Sequence, residues 1–135
     1  MSTYVLDASV AVSALRANDA NHARAASHLA PLLQGIDTVV VPSIFHVEVV
    51  AILARAGVAL ANARRAADLF VGTARVITLG PRAARAASIT AARMRLRAGD
   101  AIYVWTAERE GLPLVTLDEE ILAHAHLAGV KAVAS

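Results

Sequence analysis

Four acids in this chain stand where an ordinary surface or core carboxylate has little reason to be: Asp7, Glu48, Asp100 and Asp118. Asp7 directly follows Thr3-Tyr4-Val5-Leu6, a short β-branched and aromatic run. Glu48 lies inside a helical stretch and shares its face with Ile44, Ala51, Ile52 and Arg55. An ionised carboxylate among apolar neighbours costs several kcal/mol unless a cation or a donor meets it. Asp100 opens the run Ala101-Ile102-Tyr103-Val104, and Asp118 follows Leu114-Val115-Thr116-Leu117. Each has a plainer reading alone. Asp7, Asp100 and Asp118 suit helix N-caps, Thr116 and Glu119 have capping-box spacing, and Glu48 has Arg55 seven residues on.

The elements that must position these acids follow from periodicity. The pattern predicts strands over 3–7, 38–41, 75–79, 112–116 and 130–133. It predicts helices over 9–18, 20–33, 44–56, 60–73, 81–94, 100–110 and 118–128. Ser43 is placed as the N-cap of the third helix, with Gly57 as its stop, and Pro81 suits the first turn of the fifth. The strands are near-continuous apolar runs alternating with helices, the signature of a parallel sheet covered on both faces. The expected fold class is therefore α/β, a three-layer α/β/α arrangement in a single domain over 1–135. In such a sheet the carboxyl ends of the strands share one edge, and the helices that follow begin there. All four acids are expected at that edge. Carboxylates gathered in one place repel, and a hard divalent cation, Mg²⁺ or Mn²⁺, is the usual resolution for an all-oxygen set.

Composition narrows the classes. The 135 residues suffice for one core, and 57% are hydrophobic but only 4% aromatic, so Ala, Val, Leu and Ile must build it. The absence of cysteine removes disulfides, thiolate sites and a Cys nucleophile. No signal-like segment opens the sequence, and the most apolar window, Val39 to Ala54, contains Pro42, His46 and Glu48. A cytoplasmic location is expected. The five histidines show no ligand spacing matched to the acids.

Net charge is +2, and of 13 basic residues only Lys131 is lysine. Arg82, Arg85, Arg93, Arg95 and Arg97 precede Asp100 with no acid after Asp68. They form either a phosphate track or a solvated face.

The segments Tyr4-Val5-Leu6-Asp7-Ala8-Ser9, Pro42-Ser43 through Val47-Glu48-Val49, Leu96 through Asp100-Ala101-Ile102-Tyr103 with Ala107, and Leu114-Val115-Thr116-Leu117-Asp118 occur in a telling order. In that order and spacing, the chain resembles a PIN-domain ribonuclease, most closely a VapC-type toxin of a toxin–antitoxin pair. The resemblance implies a five-stranded parallel sheet ordered 3-2-1-4-5 and a Mg²⁺- or Mn²⁺-dependent endoribonuclease. It implies Asp7 and Asp100 as direct metal ligands, with Glu48 and Asp118 acting through water or at a second ion. Ser9 and Thr116 match small polar positions near the acids, and Arg93 and Arg97 are the candidate RNA contacts. It further implies a homodimer held by a VapB-type antitoxin, with no membrane partner. The competing reading is a non-catalytic PIN-fold module that binds RNA or protein. A haloacid-type phosphatase is excluded because Asp7-Ala8-Ser9-Val10-Ala11 lacks the second Asp and the Thr. A phospho-receiver is excluded because Leu79-Gly80 offers no acid after the third strand.

Overall fold

A computed structural model of the chain describes residues 1–134. Five strands form one sheet: β1 (Thr3–Leu6), β2 (Thr38–Pro42), β3 (Arg75–Ile77), β4 (Leu114–Val115) and β5 (Ala132–Val133). Their order is β3-β2-β1-β4-β5, and every pairing is parallel. The helices are α1 (Ala8–Leu15), α2 (His22–Leu33), α3 (Phe45–Arg55), α4 (Leu60–Thr73), α5 (Pro81–Met94), α6 (Ala98–Glu110) and α7 (Glu119–His124), followed by a 3₁₀ turn over Ala125–Ala128. The α/β class and the strand order match the expectation from sequence. Among the described residues no helix is long and apolar enough to cross a membrane.

Connection handedness sets the layers. From β1 to β2 to β3 the chain steps one way across the sheet, and from β3 to β4 to β5 it steps the other way. Right-handed crossovers then put α1–α4 on one face and α5–α7 on the other. The packing agrees: α1 lies on α2 and α3, α3 lies on α4, and α5 pairs with α6, which rests on β1, β2 and β4. The central strand β1 is consequently covered twice, and Tyr4, Val5 and Leu6 are all buried. Phe45, Leu29 and Tyr103 are the bulkiest neighbours filling the two interlayer cores.

Several local expectations change. Ser43 does not cap α3. Its Oγ accepts from the Leu79 amide at 3.0 Å, tying the end of β2 to the end of β3, while Ile44 takes the cap position without a side-chain bond. Helix α1 stops at Leu15, where Arg16 takes extended backbone, and the Asp19 carboxylate then accepts from the Asn21 amide at 2.8 Å in a local turn before α2. The 100–110 helix begins two residues earlier, at Ala98, so Asp100 sits in its first turn rather than at its cap. The last predicted helix divides into α7 and the 3₁₀ turn. Arg95, in the link between α5 and α6, is the one non-glycine residue with positive φ among those described, at 54°.

Candidate active site

The strand order reverses between β1 and β4, and open α/β sheets place their ligand sites outside that point. The structure puts Asp7 and Thr116 there. Thr116 Oγ1 donates to Asp7 Oδ2 at 2.6 Å, across 109 residues of chain. The same oxygen accepts from the Asp118 amide at 3.0 Å. One buried hydroxyl thus fixes the first acid and the backbone of the last. Asp7 Oδ1 accepts from the Ser9 amide at 3.2 Å, so Asp7 is also the N-cap of α1. Asp118 Oδ1 accepts from the Ile121 amide at 3.0 Å and caps α7. For both, the capping reading and the site reading hold together.

Glu48 reaches the edge from α3. The buried stripe of α3 is Phe45, Val49 and Leu53, and Glu48 lies half-buried at its border. Arg55 is exposed and makes no ion pair with it. Glu48 Oε2 instead lies against Gly99 of α6, so closely that a Cβ at Gly99 would stand 2.9 Å from it. Glu48 Oε1 is buried with no hydrogen-bond partner, and so are Ser9 Oγ and the Tyr103 hydroxyl. Tyr103, one turn after Asp100, faces Glu48, Asp7 and the Ala8 amide closely enough to feel their fields, but none meets it at hydrogen-bond geometry.

Electrostatics join the four acids. Burial raises the Asp7 pKa, its bonds to Thr116 and Ser9 oppose this, and the Asp118 charge adds to the rise. The Glu48 pKa is raised by burial, with Asp7 and Asp100 adding to the effect. The Asp100 pKa is raised by burial, then by Asp118 and Asp7, against the pull of Arg97. Burial, and then the Glu48 and Asp7 charges, hold the Tyr103 hydroxyl well above its usual range. Asp7, Glu48 and Asp100 thus each feel the charge of at least one other acid of the set, and Asp118 acts through its charge on Asp7 and Asp100.

They do not, as oriented, form a closed cage. Among the described residues no three acidic or histidine side chains are drawn together tightly enough to grip an ion. The reason lies in their present partners. Asp7 is turned to Thr116, Asp118 to the start of α7, and Arg97 reaches Asp100 at 3.4 Å and Asp118 at 3.7 Å. The arginines expected to track phosphate are all exposed, and Arg93 is paired with Glu108 at 3.1 Å. Sequence reading missed Tyr103 and Gly99. The i,i+3 spacing of Asp100 and Tyr103 was the available signal for the former.

Solved structures share this architecture. VapBC2 from Rickettsia felis, bound to a DNA fragment from its promoter, superposes with a TM-score of 0.71 at 14% identity, covering 98% of each chain. PAE2754 from Pyrobaculum aerophilum gives 0.68 at 25% identity over 97% of this chain and 83% of its own. VapBC-1 from nontypeable Haemophilus influenzae gives 0.66 at 15%, over 98% and 97%. No curated protein matches the chain significantly by sequence. The PIN domain model spans residues 4–131, from the second residue of β1 to the last residue before β5, and on that match the chain belongs to the PIN domain family, whose members are in general nucleases.

Proposed function

We propose that this protein is a divalent-metal-dependent endoribonuclease, the VapC-type toxin of a toxin–antitoxin pair, acting in the cytoplasm. The observation that carries the reading is that Asp7, Glu48 and Asp100 at the strand-order reversal are each raised by burial and by a neighbouring acid of the set, Asp118 acting on two of them, with only Arg97 as a cation in contact with any of the four among the described residues. Like charges held this close favour an external cation. The donor set is all oxygen, and Glu48 Oε1 is buried without a partner, which suits Mg²⁺ or Mn²⁺.

Asp7 and Asp100 are the direct ligands in this reading. Glu48 and Asp118 orient water or complete a second ion. When bound, such an ion supplies polarisation of a phosphoryl oxygen and a water of lowered pKa. The remaining work falls to the chain. Thr116 holds Asp7 and the Asp118 backbone in register. Asp100 sits in the first turn of α6, whose dipole favours its ionised form. Ser9 is free to donate to a bound group. Arg97 at the mouth, with Arg93 beyond it, supplies positive charge for the RNA backbone. A VapB-type antitoxin and a homodimer are the expected partners. VapBC complexes among the similar structures support this.

The test is cleavage of total RNA with and without divalent ion. Mg²⁺ or Mn²⁺ should support cleavage and EDTA should stop it. Undiminished cleavage in EDTA sinks the metal mechanism. RNA binding without cleavage under any ion returns the protein to the non-catalytic module.

A further inference from the structure

We infer that Arg97 is a tethered counter-cation that competes with the divalent ion for Asp100 and Asp118, so that ion and RNA binding are coupled through one side chain. The inference rests on the metal-site reading proposed above.

The geometry is specific to this residue. Arg97 is the N-cap of α6, with extended backbone at φ −65° and ψ 158°. Its side chain folds back over the first turn, placing Nε 3.4 Å from Asp100 Oδ2 and Nη2 3.7 Å from Asp118 Oδ2. The two carboxylates are sheltered, at 19% and 22% exposure, whereas the Arg97 side chain is 81% exposed. The guanidinium therefore lies across the open side of the acids, with water on its far side. Asp7 and Glu48, deeper in, have no cationic partner among the described residues.

Two carboxylate oxygens that face a guanidinium are not free to face an ion. A divalent ion drawn to Asp100 and Asp118 must turn them away from Arg97. Exposed ion pairs of this length are individually weak, so the guanidinium yields rather than locks. Once displaced, it stands at the mouth of the site with its donors unpaired, next to the ion's charge. A phosphate is the complementary group there, because a guanidinium binds it bidentately. RNA that takes up Arg97 also removes the ion's competitor. Each ligand then tightens the other, as thermodynamic linkage requires.

The experiment is a calorimetric titration of the RNA-free protein with Mn²⁺, in wild type, Arg97→Gln, Arg97→Lys and Arg55→Gln. Arg55 is an exposed arginine on the same helix as Glu48, outside these ion pairs. Arg97→Gln should bind Mn²⁺ about 3- to 10-fold more tightly, the range expected for releasing two exposed pairs. Arg97→Lys should stay near wild type, and Arg55→Gln within about twofold of it. Equal or weaker Mn²⁺ binding by Arg97→Gln overturns the competition while leaving the metal site intact. An equal gain in Arg55→Gln also overturns it, because net charge alone then explains the effect. If neither wild type nor Arg97→Gln binds Mn²⁺, the metal reading falls and this inference falls with it.

Discussion

The two ends of the sheet are built by opposite rules. At the amino-terminal edge the charges find partners, although the Tyr4 hydroxyl is buried there without one. Glu110, at the end of α6, meets Arg75 and Arg109. The Ser2 amide binds Asp37 at 2.8 Å, and the Thr3 and Thr38 hydroxyls share a bond of 2.8 Å. At the carboxyl edge, burial and neighbouring carboxylates raise the pKa values of Asp7, Glu48 and Asp100, and Arg97 meets only Asp100 and Asp118. Buried oxygens of Glu48, Ser9 and Tyr103 stay unbonded there. The same helix, α6, contributes to both ends: Asp100 to the repelling set, Glu110 to the paired one. The contrast fits the proposed reading, in which the amino-terminal end serves the fold and the carboxyl end serves a ligand.

Neutralising the carboxyl edge should separate activity from stability most sharply. Asp7→Asn and Asp100→Asn each keep acceptor oxygens but remove a charge, and RNA cleavage should fall by roughly 10²- to 10⁴-fold. Melting temperature of the metal-free protein should hold or rise. A large loss of melting temperature would assign that residue to the scaffold. The matching change at the other edge, Glu110→Gln, should do the reverse: about 1 kcal/mol less stability, with cleavage preserved.

Glu48→Gln comes next. Cleavage should drop by about 100-fold, with little change in the metal-free melting temperature and a smaller stabilisation by Mn²⁺ than in wild type. Equal Mn²⁺ stabilisation in both proteins, together with near-normal cleavage, removes Glu48 from the site.

Gly99→Ala acts on the same carboxylate without touching its charge. The new methyl would crowd Glu48 Oε2, while alanine gains about 1 kcal/mol over glycine in a helix. Cleavage should fall by about tenfold as Glu48 is displaced, with stability kept or raised. Unchanged cleavage would show that the position of Glu48 is immaterial.

The pH dependence of the metal-free fold is a subtler expectation. Asp7 and Asp100 have folded pKa values raised above 3.8, and Glu48 above 4.5. The folded state then holds more protons than the unfolded chain. Their contribution is fully present below those unfolded values and is lost as pH rises through the raised ones. Melting temperature of the metal-free protein should fall over that window, and the double variant Asp7→Asn/Glu48→Gln should show a shallower fall. An unaltered slope would mean that burial and neighbouring charge do not hold Asp7 and Glu48 above their unfolded values.

Much of this was legible in the chain because it is local. Helices over 60–73 and 81–94 have the bounds that periodicity predicts, the second opening on Pro81, and the apolar strand runs announce a covered parallel sheet. The expectation that the four acids share one edge follows from strand and helix direction alone. What was hidden is long-range. Ser43 has the residue type of a cap, but the nearby Leu79 amide claims its oxygen. The two-way bond of Thr116 joins positions 109 residues apart, which spacing cannot reveal. The reach of Arg97 depends on where α6 begins, and the sequence placed that start two residues late.

The Thr116–Asp7 bond also bears on when the site comes into being. The first acid is made among the first residues of the chain, yet the hydroxyl that fixes it lies on the segment after β4. Strand β1 sits between β2 and β4, so its second neighbour arrives only after more than a hundred further residues have been joined. A chain growing from its amino terminus can settle β1, β2 and the helices α1–α4 while half of the edge is still absent. Asp100 and Asp118 thus join Asp7 and Glu48 late, after much of the core that must withstand their repulsion has formed. A growing chain would carry an incomplete edge until residues 116–118 have docked.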